Sequence, residues 1–314
     1  MNIRRNNYDV SNRIETTDPD SVKQEVGLIF RALYPDASIQ LIERSFGDVT
    51  RLFRGEYPSY RACDTTYHNL QHTLDVSLAM ARLMDGYERS RDRSEPIGSR
   101  LFCFGIITAL LHDIGYLRSV NDTRHENGAE YTLKHVSRGA RFIEHYMRQI
   151  GLNDLAPVAK QIVHFTGYER PVDRINVPNL MFRMFGNMLG TADIIAQMAD
   201  RCYLEKCRDR LYPEFVAGGL AARNASDARR SIVFKSVEEL LSKTPSFYRA
   251  ATIRLNEQLG GTYVYAHEHF GGQNLYLDEI DKNIQYASEI ARGPDLTLLR
   301  RTPPRMEASA FNVF

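Results

Sequence analysis

The chain has 314 residues, 43% of them hydrophobic and 25% charged, with 40 Lys and Arg against 39 Asp and Glu. That apolar content supports a sizeable core, in one large domain or two small ones, and the near-zero net charge excludes a chain-wide polyanion-binding surface. Met1-Asn2-Ile3-Arg4-Arg5 is basic, but no apolar run follows it, so no secretory signal is expected. The longest apolar run, residues 101–111, is too short to span a bilayer. Cys63, Cys103, Cys202 and Cys207 form no C-x-x-C pair, so reduced thiols and a cytoplasmic location are the expectation. Arg89-Ser90-Arg91-Asp92-Arg93 is interrupted by acid and reads as a solvated loop, so nucleic acid is not indicated as a partner.

In chain order, residues 1–20 are polar and read as a loose leader. Residues 22–34 and 38–53 carry apolar side chains at three-and-four spacing and predict two amphipathic helices. Gly55-Glu56-Tyr57-Pro58 breaks the chain. Thr65 or Thr66 then caps a helix reaching Tyr87, with Val76, Leu78, Ala79, Leu83 and Met84 on its buried face. That helix would carry His68 and His72 on one face, about 40° apart around the axis. Residues 100–112 are apolar nearly all round and predict a central buried helix. It ends in His112-Asp113, two polar groups that are costly to bury unless paired or metal-bound.

Residues 126–150 predict another long helix. Asn153 or Asp154 caps the next, which has Pro157 in its first turn and runs to about Phe165. Residues 178–211 form a further helix, and 232–259 a pair broken at Thr244-Pro245. Glycine pairs bracket residues 263–270, a surface loop holding His267-Glu268-His269. A last helix covers 277–291, and the tail after it reads as disordered. No alternating strand pattern, repeat or low-complexity tract is present. The expectation is an all-α domain over residues 21–292, between a leader (1–20) and a tail (293–314).

The candidate metal ligands are His72, His112, Asp113, His135, His164 and Asp193, on separate predicted helices except for the doublet. Helical bundles build metal sites in this way, from imidazoles and carboxylates projecting inward off facing helices. Such donors suit Mn, Fe, Zn or Co. Asp193 is embedded in apolar sequence, which makes an unpaired role expensive.

Tyr67-His68-Asn69-x-x-His72-x-x-Asp75-Val76 closely resembles the signature of class I cyclic nucleotide phosphodiesterases. His112-Asp113 matches the doublet that names the HD-domain superfamily of metal-dependent phosphohydrolases. His135-x-x-x-Gly139-Ala140, His164 and Ala192-Asp193 are similar to the later ligands of its binuclear branch, which includes HD-GYP proteins. The resemblance spans roughly residues 64–200. It implies an HD/PDEase-like multi-helix bundle around two divalent cations, Mg among the candidates, and a phosphodiesterase activity on a small nucleotide-type phosphoester such as a cyclic nucleotide. His72, His112, Asp113 and Asp193 would hold the first cation. Asp113 would bridge to a second, completed by His135 and His164. His68 would be the general acid, and Asp75 would orient a histidine.

The match with the later ligands favours His135 over His125, whose neighbour Arg124 suggests a solvated loop. His145 reads as a surface residue, Asp200 as an outer carboxylate or salt-bridge partner, and Arg118, Arg124 and Arg138 as phosphate contacts or surface charges. The chain departs from its relatives at Tyr116, where phosphodiesterases have a histidine and HD-GYP proteins a lysine. It has a single His164 in place of a paired motif, Gly167-Tyr168-Glu169-Arg170-Pro171 in place of GYP, and only Gln258 as a candidate for the purine-gripping glutamine. These departures leave the substrate open. An HD-superfamily diiron oxygenase shares the ligand order and is the alternative reading. A metal-binding regulatory or sensor protein is the second.

Overall fold

The computed structural model describes residues 4–90, 95–224, 232–293 and 296–305. The chain is mostly helical, as expected, and the described residues hold only isolated bridges in place of strands. The helices are α1 (Pro19–Leu33), α2 (Gln40–Arg54), α3 (Leu70–Arg89), α4 (Gly98–Leu111), α5 (His135–Gln149), α6 (Ala156–Ile162), α7 (Leu180–Met198), α8 (Tyr203–Lys206), α9 (Tyr212–Ala217), α10 (Val237–Ile253), α11 (Tyr265–His269) and α12 (Leu275–Arg292). No described helix is long and apolar enough to cross a membrane.

Helix α3 is the centre, with α1, α4, α7 and α11 packed around it. Every residue from Phe102 to Leu111 of α4 is buried, as its unbroken apolar sequence predicts. Gly86 lets α11 lie directly on α3: a Cβ there would sit 1.7 Å from the Tyr265 carbonyl oxygen. Residues 263–270 are therefore a short 3-10 turn and a helix docked on the core, not a surface loop.

Other boundaries moved for local reasons. Asp18 accepts hydrogen bonds from the Asp20 and Ser21 amides and starts α1 at Pro19. The helix expected over 126–150 is split. Asn127 and Glu130 close a capping box around a 3-10 turn, Gly128–Tyr131, and α5 begins at His135. Leu155, not Asn153 or Asp154, precedes α6. Helix α7 ends at Met198, where Tyr248 and Asn283 donate to the Met198 carbonyl and Asp200 accepts from the Cys202 amide to turn the chain. Helix α10 runs unbroken through Pro245, because Leu240, Leu241, Thr244, Tyr248 and Ala251 bury its face and offset the lost backbone bond.

The expected loose leader is packed from residue 4. Arg82 of α3, 1% exposed, donates to Asp9 at 2.5 Å and to the Tyr276 hydroxyl at 3.2 Å. Asp9 also accepts from the Arg13 and Ile14 amides. Arg4 reaches the Ala199 carbonyl and Glu279. In the tail, Leu299 is buried and the Thr302 carbonyl accepts from Asn6, so residues 296–305 are ordered against the body and depart from the expected disorder. Residues 306–314, and Arg91, Asp92 and Arg93 of the arginine-rich loop, lie outside the described residues.

Burial alone would raise the Asp9 carboxyl, but Arg82 and the amides outweigh it and hold the group at about 2. Its stabilising contribution is therefore complete above the ordinary carboxylate pKa and is lost as pH falls toward 2. Arg82→Met strands a buried carboxylate and should cost about 3–5 kcal/mol in urea unfolding. Adding Asp9→Asn should restore much of that loss, and equal losses in the single and double variants would contradict a paired role.

Candidate metal centre

Four helix ends and one helix interior deliver the site. His72 is the third residue of α3, and its amide donates to the Asn69 side chain at 3.2 Å. Asn69, not Thr65 or Thr66, is thus the cap, so His68 lies in the turn before α3 rather than on it. The two threonines hold that turn, Thr65 through the His68 carbonyl and Thr66 through the Arg210 carbonyl. His112 is the C-cap of α4, and Asp113 turns out of the helix with φ −102° into the 3-10 turn Ile114–Tyr116. His135 is the first residue of α5, His164 sits in the 3-10 turn after α6, and Asp193 lies within α7.

Gly115 brings the turn after α4 against the start of α5. A Cβ on Gly115 would lie 1.8 Å from the His135 carbonyl oxygen and 2.7 Å from the Gly139 amide nitrogen. A Cβ on Gly139 would meet its nearest neighbours at 3.4 Å, so Gly115 is the tighter half of this contact.

The donors converge. His72 Nε2 lies 3.3 Å from Asp113 Oδ2, from Asp193 Oδ1 and from His112 Nε2. His112 Nε2 lies 3.1 Å from Asp113 Oδ2 and 3.9 Å from Asp193 Oδ1. Donors bound to one cation at 2.0–2.2 Å sit about 3.0–3.6 Å from each other, a range that holds all of these separations but the 3.9 Å one. Asp113 Oδ2 is buried and accepts no hydrogen bond among the described residues. His112 Nδ1 lies 2.8 Å from the Ala109 carbonyl, so in the neutral ring the proton sits there and the Nε2 lone pair faces the carboxylates. His72, His112 and Asp113 form a group that could hold a metal ion, with ligand atoms all within 4.8 Å of one another.

His135 approaches from the other side, its Nε2 3.5 Å from Asp113 Oδ1, and the Thr132 carbonyl orients its ring through Nδ1. Asp113 therefore presents one oxygen to His72 and His112 and the other to His135. His164 is 2% exposed and its Nδ1 has no hydrogen-bond partner among the described residues. It forms no ion pair with Asp113 or Asp193, in contrast to the other three histidines.

Asp75 does not orient these rings. Three residues after His72 it turns about 60° around α3, toward the N-terminal segment. There it lines a small polar cavity with Arg4, Thr16, Gln71 and Asp200. Burial, with the Asp200 charge beside it and Lys206 opposing, raises Asp75 to about 6. Asp200 pairs with Lys206.

The sequence reading missed Glu214 and gave Tyr116 no place in the site. Glu214 of α9, 2% exposed, hydrogen-bonds His68 Nδ1 with one oxygen and accepts from the Tyr67 and His68 amides with the other, at 2.7 and 3.2 Å. Burial would lower the His68 pKa, but the Glu214 charge outweighs it and raises the ring above its ordinary value. Tyr116 stacks between His68 and His135, with ring centroids 4.6 and 4.3 Å away. A glutamate 146 residues from its histidine leaves no spacing pattern to read.

The remaining candidates lie apart. His125 bonds Asp122 and Tyr131, His145 is exposed beside Gln149, and His269 pairs with Asp85 at 2.6 Å. His267 and Gln258 are exposed. Arg118 binds Asp64, and Arg138 binds the Gly115 and Leu117 carbonyls. Tyr67, His68, Asp113, Tyr116, His135 and Asp193 line one end of a cavity of about 480 Å³. Comparison with protein-family models, curated proteins and solved structures gives no match.

Burial would lower His72, but Asp113 and Asp193 outweigh it and push the ring up to about 10. The same carboxylates raise His112. A divalent cation binding here must displace protons, so its affinity should rise with pH through neutrality, as titration calorimetry at pH 6 and 8 would read. Gly115→Ala should weaken cation binding at least tenfold, whereas Gly139→Ala should change it much less. Equal effects would remove the close-approach argument.

Proposed function

We propose that the chain is a metal-dependent phosphohydrolase that cleaves a phosphodiester with water. The observation that carries this reading is the Glu214-held His68 beside a buried histidine and aspartate centre, at the end of a cavity that can take a small ester. His72, His112, Asp113 and Asp193 would hold one cation. The second oxygen of Asp113 together with His135 would offer two donors to a second. Divalent cations in such a site lower the pKa of a bound water and neutralise phosphoryl charge.

The chain's own residues do the rest. Asp113 and the imidazoles fix where the phosphoryl oxygens sit. Glu214 takes His68 Nδ1, which leaves Nε2 as the nitrogen that carries a proton toward the substrate. Water oxygen bonds to phosphorus and gives one proton to solvent, the bond to the leaving oxygen breaks, and that oxygen takes the His68 proton, which His68 regains from solvent. The Glu214 charge keeps His68 protonated at higher pH and offsets the cost of a buried imidazolium. Tyr116 holds the ring between two aromatic faces. The oxygenase alternative gives this acid pair no role, which favours hydrolysis.

Hydrolysis of bis-p-nitrophenyl phosphate by the Mn²⁺-loaded protein tests the reading. Turnover is expected, and no turnover with any divalent cation would overturn it. His68→Ala should retain metal and lose about 10²-fold or more on an alkyl diester. Its loss on the p-nitrophenyl ester should be smaller, because that leaving group needs less protonation. Glu214→Gln should move the alkaline fall of kcat to lower pH, since the charge that raises the His68 pKa is gone. An unmoved alkaline limb would remove Glu214 from the acid role.

A further inference from the structure

The cavity beyond the candidate metal centre is walled in large part by apolar side chains. Helix α7 contributes Ile194, α9 contributes Phe215, and α10 contributes Leu240 and Phe247; Phe234 closes the side. Phe215, Phe234 and Phe247 are all only half-buried, so a lone cavity wall leaves three phenyl rings in contact with water. Phe215 and Phe234 stack with centroids 5.7 Å apart and planes 5° from parallel, and the Lys243 ammonium lies 5.3 Å from the Phe234 ring centroid. Apolar surface arranged this way gains most from a ligand that covers it.

Several polar groups of the wall are already bonded. The hydroxyls of Thr132, Thr166 and Thr244 donate to the carbonyls of Ala129, Val163 and Leu240. The Gln197 amide, one turn after Asp193, lies 3.4 Å from the Tyr203 hydroxyl. Lys243 is the sole lysine or arginine among the described lining residues, and its ammonium is paired with Glu239 at 2.7 Å. Recognition of a polyphosphate or of a second phosphoryl group takes arginine forks or several lysines, and this wall presents one lysine, held in a surface ion pair. A nucleobase edge would leave several donors and acceptors unmatched, each costing about a factor of ten in affinity.

We infer that the substrate is a phosphoester with one phosphoryl group, whose organic part is a flat apolar group of aryl type rather than a nucleoside or a polyphosphate. The phosphoryl group faces His68 and the metal ligands, and the ring lies against Phe215 and Phe234. This inference rests on the hydrolase reading and narrows it. It moves the substrate away from the nucleotide-type ester that the sequence resemblance implies.

The test uses three diesters with one leaving group and one negative charge: methyl, 1-naphthyl and thymidine-5′ p-nitrophenyl phosphate, with the Mn²⁺-loaded full chain. The expected result is a KM about tenfold or more lower for the naphthyl than for the methyl ester, the area of the added rings setting the scale, with the thymidine ester no better than methyl. Phe234→Ala should remove that preference, bringing the KM of the naphthyl ester to that of the methyl ester. A thymidine ester that equals or beats the naphthyl ester, or equal KM values for methyl and naphthyl, would overturn the inference while hydrolysis stood. Calorimetric binding of 1-naphthyl phosphate against methyl phosphate separates the two claims. Tight naphthyl binding without turnover of any ester would support the pocket and sink the hydrolase reading. Neither binding nor turnover would sink both.

Discussion

A buried carboxylate oxygen that accepts no hydrogen bond among the described residues and faces two imidazole nitrogens is the constraint from which the rest of the site follows. Removing such a group from water is expensive unless positive charge compensates it. The Ala109 carbonyl takes the proton-bearing side of His112, so the neutral ring turns a lone pair toward Asp113. Protons or a metal cation can fill the space between. The donor separations suit a cation, and the exposure of Asp193 to the cavity gives it an entry path. Around this point the fold concentrates helix ends, where backbone irregularity lets adjacent residues point in different directions. His112 and Asp113 can both face inward because the helix stops between them.

The acid side of the site depends on a different long-range contact. Glu214 binds both the His68 ring and the amides of Tyr67 and His68, so one carboxylate fixes the backbone and the side chain together. Tyr116 then links His68 to His135 by stacking, and Gly115 beside it brings that turn against α5. The candidate metal ligands and His68 are thus braced by the same five-residue stretch, 112–116. The Asp75, Asp200 and Lys206 cluster on another side of α3 anchors the N-terminal segment instead.

Much of this was legible in the sequence where one physical signal dominated. Unbroken apolar residues in α4 and three-and-four spacing in α1 and α2 predict buried and half-buried helices, and those are found, whereas α3, expected to bury one face, is buried nearly all round. His72, His112 and Asp113 were legible because an adjacent polar pair at the end of a buried helix has few inexpensive roles. Local competition was harder to read. Asn69 displaced two threonines as the cap of α3 and moved His68 off the helix, and a capping box split the segment before α5. Contacts distant in sequence were not readable at all. The Arg82 pair that orders the leader, Glu214 on His68 and the direction of Asp75 depend on which elements become neighbours, and no local pattern encodes that.

The central claim is that Asp113 and its histidines hold metal. Elemental analysis of the purified chain beside Asp113→Ala, with circular dichroism to establish equal helicity, tests it most directly. The account predicts bound divalent metal in the parent chain and its loss from the folded variant. A folded Asp113→Ala protein with the parent's metal content would contradict it.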